Sequence, residues 1–171
     1  MTSVLFVCTA NICRSPLAEA LWRHRGFQAS SAGVAARNGL PMHELSLAEL
    51  RRRGVPAAPQ SGDSSGSQPG TSRLATAREI READVVLCME AEHRAALTRI
   101  APAAIAKTFT LPEYAAILRD HPGSTPREAH RKRRGYQESD IADPIGGTAE
   151  DFKECADRID ALLDVIGQHM A

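Results

Sequence analysis

The stretch from Val4 to Pro16, Val-Leu-Phe-Val-Cys-Thr-Ala-Asn-Ile-Cys-Arg-Ser-Pro, limits what this chain can fold into more than any other. Val4 to Val7 are apolar and rich in β-branched and aromatic types, so they predict a short buried strand. Ser15 suits a helix N-cap and Pro16 the first helical position. The helix that follows would turn Leu17, Ala18, Leu21 and Trp22 toward a core. The loop from Cys8 to Ser15 therefore joins a strand end to a helix start. In such a loop successive backbone N–H groups can converge on one concavity, and the helix dipole favours an anion there.

An oxyanion held by Thr9, Ala10, Asn11, Ile12, Cys13 and Ser15 would meet two side chains of different use. Arg14 offers a planar fork that takes two phosphate oxygens at once. Cys8 would lie beneath the anion, where amide dipoles, Arg14 and a hydrogen bond from Ser15 all favour a nucleophilic thiolate. Cysteine, five residues and arginine, taken alone, read better as a structural thiol and a helix-start arginine. The strand before and Arg-Ser-Pro after favour attack on a bound phosphoryl group.

Cys8-Thr-Ala-Asn-Ile-Cys-Arg-Ser-Pro resembles the signature of the low-molecular-weight protein tyrosine phosphatase family, in the same N-terminal position. Ser31-Ala-Gly33, the strand Ala83 to Met89 and Asp140-Ile-Ala-Asp143-Pro144 follow in the family's order, so the resemblance spans nearly the whole chain. It implies a three-layer α/β/α fold with a central parallel sheet of about four strands, and a cysteinyl-phosphate mechanism without metal or cofactor. It also implies that Ser31 hydrogen-bonds Asn11; a serine that merely ends a strand is the other reading. A histidine that the family often carries near residues 56–72 is missing here.

Bulk numbers exclude several classes. At 171 residues one domain over 1–171 is the economical expectation. Lys plus Arg and Asp plus Glu both number 21, so charge argues for neither nucleic acid nor an anionic membrane. The four cysteines have neither disulfide-framework nor zinc-site spacing. No apolar run approaches the ~20 residues of a membrane span. Residues 1–8 lack a basic leader and a long apolar core, so no signal peptide is expected. The expectation is a reduced, cytoplasmic protein, a monomer or weak dimer, acting on a phosphorylated protein.

Along the chain, strands are expected over Phe27–Gly33, Asp84–Met89 and Lys107–Leu111. Helices are expected over Pro41–Arg53, Arg73–Glu82, Glu92–Ile100 and Glu150 to about Gln168, an alternation that predicts a parallel sheet covered on both faces. Residues 56–72, rich in Gly, Ser and Pro, read as a flexible surface loop. A basic insertion is expected around 115–139, and its cluster Arg127 to Arg134 reads as a solvated face, or else as a patch for RNA or an acidic protein, including one at the mouth of the site. Tyr114, Tyr136 and Cys88 read by default as ordinary packing.

Asp143 is held extended by Pro144, and a stiff loop bearing a carboxylic acid suits protonation of a leaving oxygen. Tyrosine-directed family members commonly follow Asp-Pro with an aromatic residue, whereas this chain has Ile145. Gly146-Gly147 and Thr108 to Ala115 are more similar to the protein arginine phosphatase branch, which carries a threonine where Ile12 stands. Ile12 belongs to the tyrosine branch and is within reach of substrate, so phosphotyrosine is the expected substrate and Ile12 with Ile145 the rim. Phosphoarginine is the alternative. An arsenate reductase would use the same loop but needs further thiols near it, and a silent phosphate-binding module would not need all of thiol, guanidinium and acid. Cys13 has two open readings, a small loop filler or a redox partner of Cys8.

Overall fold

The structure, a computed structural model, describes residues 2–57, 70–136 and 139–170. Most of the loop expected over 56–72 thus lies outside the described residues. Four parallel strands, β1 (Ser3–Cys8), β2 (Gln28–Gly33), β3 (Val85–Cys88) and β4 (Thr108–Thr110), form a sheet in the order β2-β1-β3-β4. β1 is interior, and Val4 to Val7 are in register with both Ala29–Ala32 and Val85–Cys88. Because side chains alternate across a strand, its apolar run serves two cores. Val4, Phe6 and Cys8 join one core with α1 (Arg14–His24), α2 (Glu44–Arg52), α5 (Leu111–Asp120) and α7 (Ala149–His169). Leu5 and Val7 join the other with α3 (Ala77–Glu82) and α4 (Ala91–Ile100). The result is the expected three-layer sandwich.

Departures from the sequence reading have local causes. The first helix starts at Arg14, with Cys13 at its cap position and no side-chain capping bond. Ser15 is therefore not an N-cap; its hydroxyl is engaged by the loop side chains instead. The third helix begins at Ala77, behind a capping box of Thr76 and Glu79, rather than at Arg73. Arg73 is held out of the helix because its main-chain N–H donates to Asn11 Oδ1 at 3.0 Å and its Nε to the Ser31 carbonyl at 2.7 Å.

The block read as a basic insertion divides in two. Its first residues end α5, where Ala115, Ile117 and Leu118 are core. Its cluster forms α6 (Pro126–Lys132), and Arg133 is tied down, donating to Glu113 at 2.8 and 3.0 Å and lying 5.0 Å over the Phe109 ring. Tyr114 packs on Phe109, and burial pushes its hydroxyl up to about 12. Trp22, fully buried, stacks on Phe27 at 4.3 Å and meets Phe6 edge-on at 6.4 Å. No helix among the described residues is long and apolar enough to cross a membrane.

Candidate functional site

The loop between β1 and α1 stands at the carboxyl ends of the strands, where open α/β sheets place their ligands. Cys8 ends β1 and is buried, with its Sγ 3.0 Å from Ser15 Oγ. Asn11 adopts φ 56°, the left-handed backbone expected of an asparagine in a tight anion loop. Its amide donates to Ser15 Oγ and to Ser31 Oγ, both at 2.9 Å. With Ser15 Oγ accepting from Asn11, the serine's own proton is left for the sulfur or for the Ala32 carbonyl at 3.3 Å. The Ser31–Asn11 bond implied by the resemblance is present.

Beneath this the chain of partners continues. Ser31 donates to Glu19 Oε2 at 2.7 Å, and burial raises the Glu19 carboxyl above its ordinary range against the pull of Ser31, Arg23 and Arg73. Arg73, read in the sequence only as the start of a helix, braces both partners of the Ser31–Asn11 bond, its N–H on Asn11 Oδ1 and its Nε on the Ser31 carbonyl. The loop is also gripped from outside. The Cys8 and Thr9 carbonyls accept from Val34 and Ala35 N–H at 2.9 Å each, and the Ile12 carbonyl from His43 N–H at 2.8 Å. Gly33 permits the first grip: a Cβ there would come within 2.5 Å of the Thr9 carbonyl oxygen.

Arg14, 1% exposed, reaches from α1 to the loop holding Asp143. Its Nη1 donates to Glu90 and to the Ile141 carbonyl at 2.7 Å, and its Nη2 to Asp143 Oδ2 at 2.9 Å. Its Nε is buried without a partner among the described residues. The Asp143 loop is anchored at its root. Ile141 N–H donates to the Met89 carbonyl at 2.8 Å, and Asp140 accepts from Ala91 N–H at the start of α4 at 2.8 Å. Asp143 Oδ1 accepts from Ile145 N–H at 3.1 Å, and Asp143, Ile145, Cys155 and Arg158 line a cavity of about 460 Å³.

Arg14 bonds Asp143 directly, and Cys8 is tied to Ser15, the residue after Arg14; Ile12 is half-buried and Ile145 exposed. Cys13 is buried, and burial pushes its thiol up to about 12 against a hydrogen bond with Ser46. Cys88 donates to the Phe109 carbonyl inside the sheet, and Cys155 is buried on α7. Glu90, His93, Glu19 and Arg73 went unseen in the sequence. Only Glu90 had a signal, an acid directly after a strand's carboxyl end.

The low molecular weight phosphotyrosine protein phosphatase family model matches residues 3–126. A protein-arginine-phosphatase of Geobacillus stearothermophilus is 30% identical over 170 residues, covering 98% of this chain and 95% of that one. The low molecular weight protein-tyrosine-phosphatase Etp of Escherichia coli is 40% identical over 109 residues, 63% of this chain and 67% of its own. The solved YwlE arginine phosphatase from G. stearothermophilus superposes with a TM-score of 0.77 at 28% identity, over 98% of this chain and 92% of that one. On the phosphate-loop geometry and these matches, the chain belongs to the low molecular weight phosphotyrosine protein phosphatase family, a family of hydrolases.

Proposed function

We propose that this protein hydrolyses phosphotyrosine in proteins through a phosphate ester of Cys8. One observation carries the reading: Arg14 spans from the loop around Cys8 to Asp143, with Nη1 anchored by Glu90 and Ile141 and its Nε free. The Nε–Nη2 edge is then the fork for two phosphoryl oxygens. Cys8 Sγ attacks phosphorus as the P–O bond breaks, and Asp143 gives its proton to the departing oxygen. Asp143 next takes a proton from water, whose oxygen attacks phosphorus and returns the sulfur as leaving group. The loop amides and Arg14 hold the charge on the equatorial oxygens throughout.

Ile12 supports phosphotyrosine over phosphoarginine, since a branched apolar side chain on the rim packs on an aromatic ring and offers a guanidinium no partner. The second reading, phosphoarginine, is favoured by the near full-length likeness to protein arginine phosphatases. Arsenate reduction is disfavoured by Cys88, fully buried in β3, and by Cys155 in the body of a helix. Four free, buried cysteines suit a reducing cytoplasm, and the protein is read as one domain working as a monomer or weak dimer. Turnover of a phosphotyrosyl peptide, a phosphoarginyl peptide and arsenate, measured side by side, tests this. Faster turnover of phosphotyrosine is expected; a higher specificity constant for phosphoarginine would transfer the assignment to the second reading.

A further inference from the structure

The start of α4 sends two side chains, Glu90 at its cap and His93 in its first turn, toward the phosphate loop and Arg14, and only Glu90 has been accounted for. His93, one turn further on and 3% exposed, brings its Nε2 to 2.8 Å from Thr9 Oγ1. Thr9 directly follows Cys8, and its carbonyl already accepts from Ala35 on the β2 side. The residue after the sulfur is therefore held from two sides, by main chain on one and by an imidazole on the other.

The same ring bears on Arg14. His93 Nε2 lies 3.9 Å from Glu90 Oε1, the oxygen that receives Arg14 Nη1. That carboxylate favours the proton on Nε2. His93 Nδ1 is buried without a partner among the described residues, so a proton placed there would be a donor with no acceptor. Nε2–H thus donates to Thr9, and the threonine keeps its own proton to offer elsewhere.

We propose that His93 is a positioning residue of the phosphate loop, holding Thr9 through Nε2 while leaving Glu90 Oε1 to Arg14. This rests on the phosphatase reading above. The charged groups around the ring are Glu90 on its own helix, Arg14 on α1, and Asp140 and Asp143 in the acid-bearing loop. Burial holds the imidazole below its usual range, with Arg14 acting in the same sense and the three acids against it. A second proton would make the ring a cation competing with Arg14 for one carboxylate oxygen, loosening the guanidinium on the acid side.

The test is steady-state kinetics on p-nitrophenyl phosphate from pH 4.5 to 8 at fixed ionic strength, with wild type, His93→Phe, His93→Gln, Thr9→Val and the Thr9→Val/His93→Phe double variant. His93→Phe should lower kcat/KM by about 10-fold at neutral pH, the factor a hydrogen bond of ordinary worth controls. His93→Gln, which keeps an N–H near the same place and does not titrate, should recover most of that and carry activity to lower pH. The double variant should lose little more than either single one, since both remove the same bond. Gln no better than Phe with an unmoved acid limb, or fully additive losses, overturns the proposal. Should His93→Phe fail to fold, Thr9→Val, at an exposed position, must alone show the neutral-pH loss, and no loss there also overturns it. A wild type that releases no phosphate would instead sink the phosphatase reading.

Discussion

Asp143 faces Arg14 because Ile141, two residues earlier, extends the hydrogen bonding of β3, and Pro144 stiffens the backbone behind it. In the proposed mechanism its contribution depends on how basic the departing oxygen is. Asp143→Ala should slow esters of poor leaving groups by ~10²–10⁴-fold and those of good leaving groups far less. A rate series over phenols of rising pKa checks this, and a flat loss across it would remove Asp143 as the acid. In the same proposal Ile12 bears on substrate choice instead. Ile12→Thr should shift the ratio of specificity constants toward phosphoarginine by ~10-fold, the worth of one gained hydrogen bond, read from paired peptide assays. Cys8, Arg14 and Asp143 could be picked out as candidates because each lies in a short, stiff, local context. Glu19, Arg73 and His93 were not, since they act across 62 to 84 residues of chain or from inside a helix that reads as ordinary. Ser15 shows the opposite error: a residue type that suits a cap was engaged by Asn11 and the sulfur instead.

At the scale of elements, the phosphate loop is a bracket clamped between β2 and α1, and Gly33 sets the gap. Its N–H donates to the Arg73 carbonyl and its own carbonyl accepts from Ala75, both at 2.9 Å, so it cannot retreat. Gly33→Ala should push a methyl against the Thr9 carbonyl, cost ~1–3 kcal/mol and reduce both vanadate affinity and kcat, which thermal melts and inhibition constants would show. Unchanged vanadate binding would mean that the loop accommodates a Cβ. Glu19 gives the pH dependence of the bracket. Its folded carboxyl holds its proton to higher pH than the unfolded one, so this group costs stability as pH rises through the ordinary carboxyl value of 4.5 toward its raised folded value, and the cost persists at neutrality. Glu19→Gln keeps an acceptor for Ser31 and removes the charge. Its melting temperature relative to wild type should be higher at pH 7.5 than at pH 4. The reverse order would show that the bonds to Ser31 and Arg23 outweigh desolvation.

For the whole molecule, alternation of strand and helix was readable because each apolar period is long enough to count; α7, with Phe152, Ile159, Leu163 and Ile166 in register, is the clearest case. The short α3 and α6 were harder, as their capping boxes at Thr76 and Thr125 set their bounds more than any periodicity does. α7 closes one face, and ion pairs of Arg25 with Asp160 and Asp164, at 2.6 and 2.5 Å, and of Arg53 with Asp157 tie it to the helices beside it. Under that closure sits the single tryptophan, on the helix that begins with Arg14. Gly167 of α7 leaves room against it: a Cβ there would lie 3.5 Å from the indole. The molecule therefore carries its own optical gauge. Native emission should be blue and scarcely reached by acrylamide. Lifting of α7 should redden it and admit the quencher in step with loss of helical circular dichroism, so one cuvette can report whether a variant of the phosphate loop has lost its chemistry or its fold.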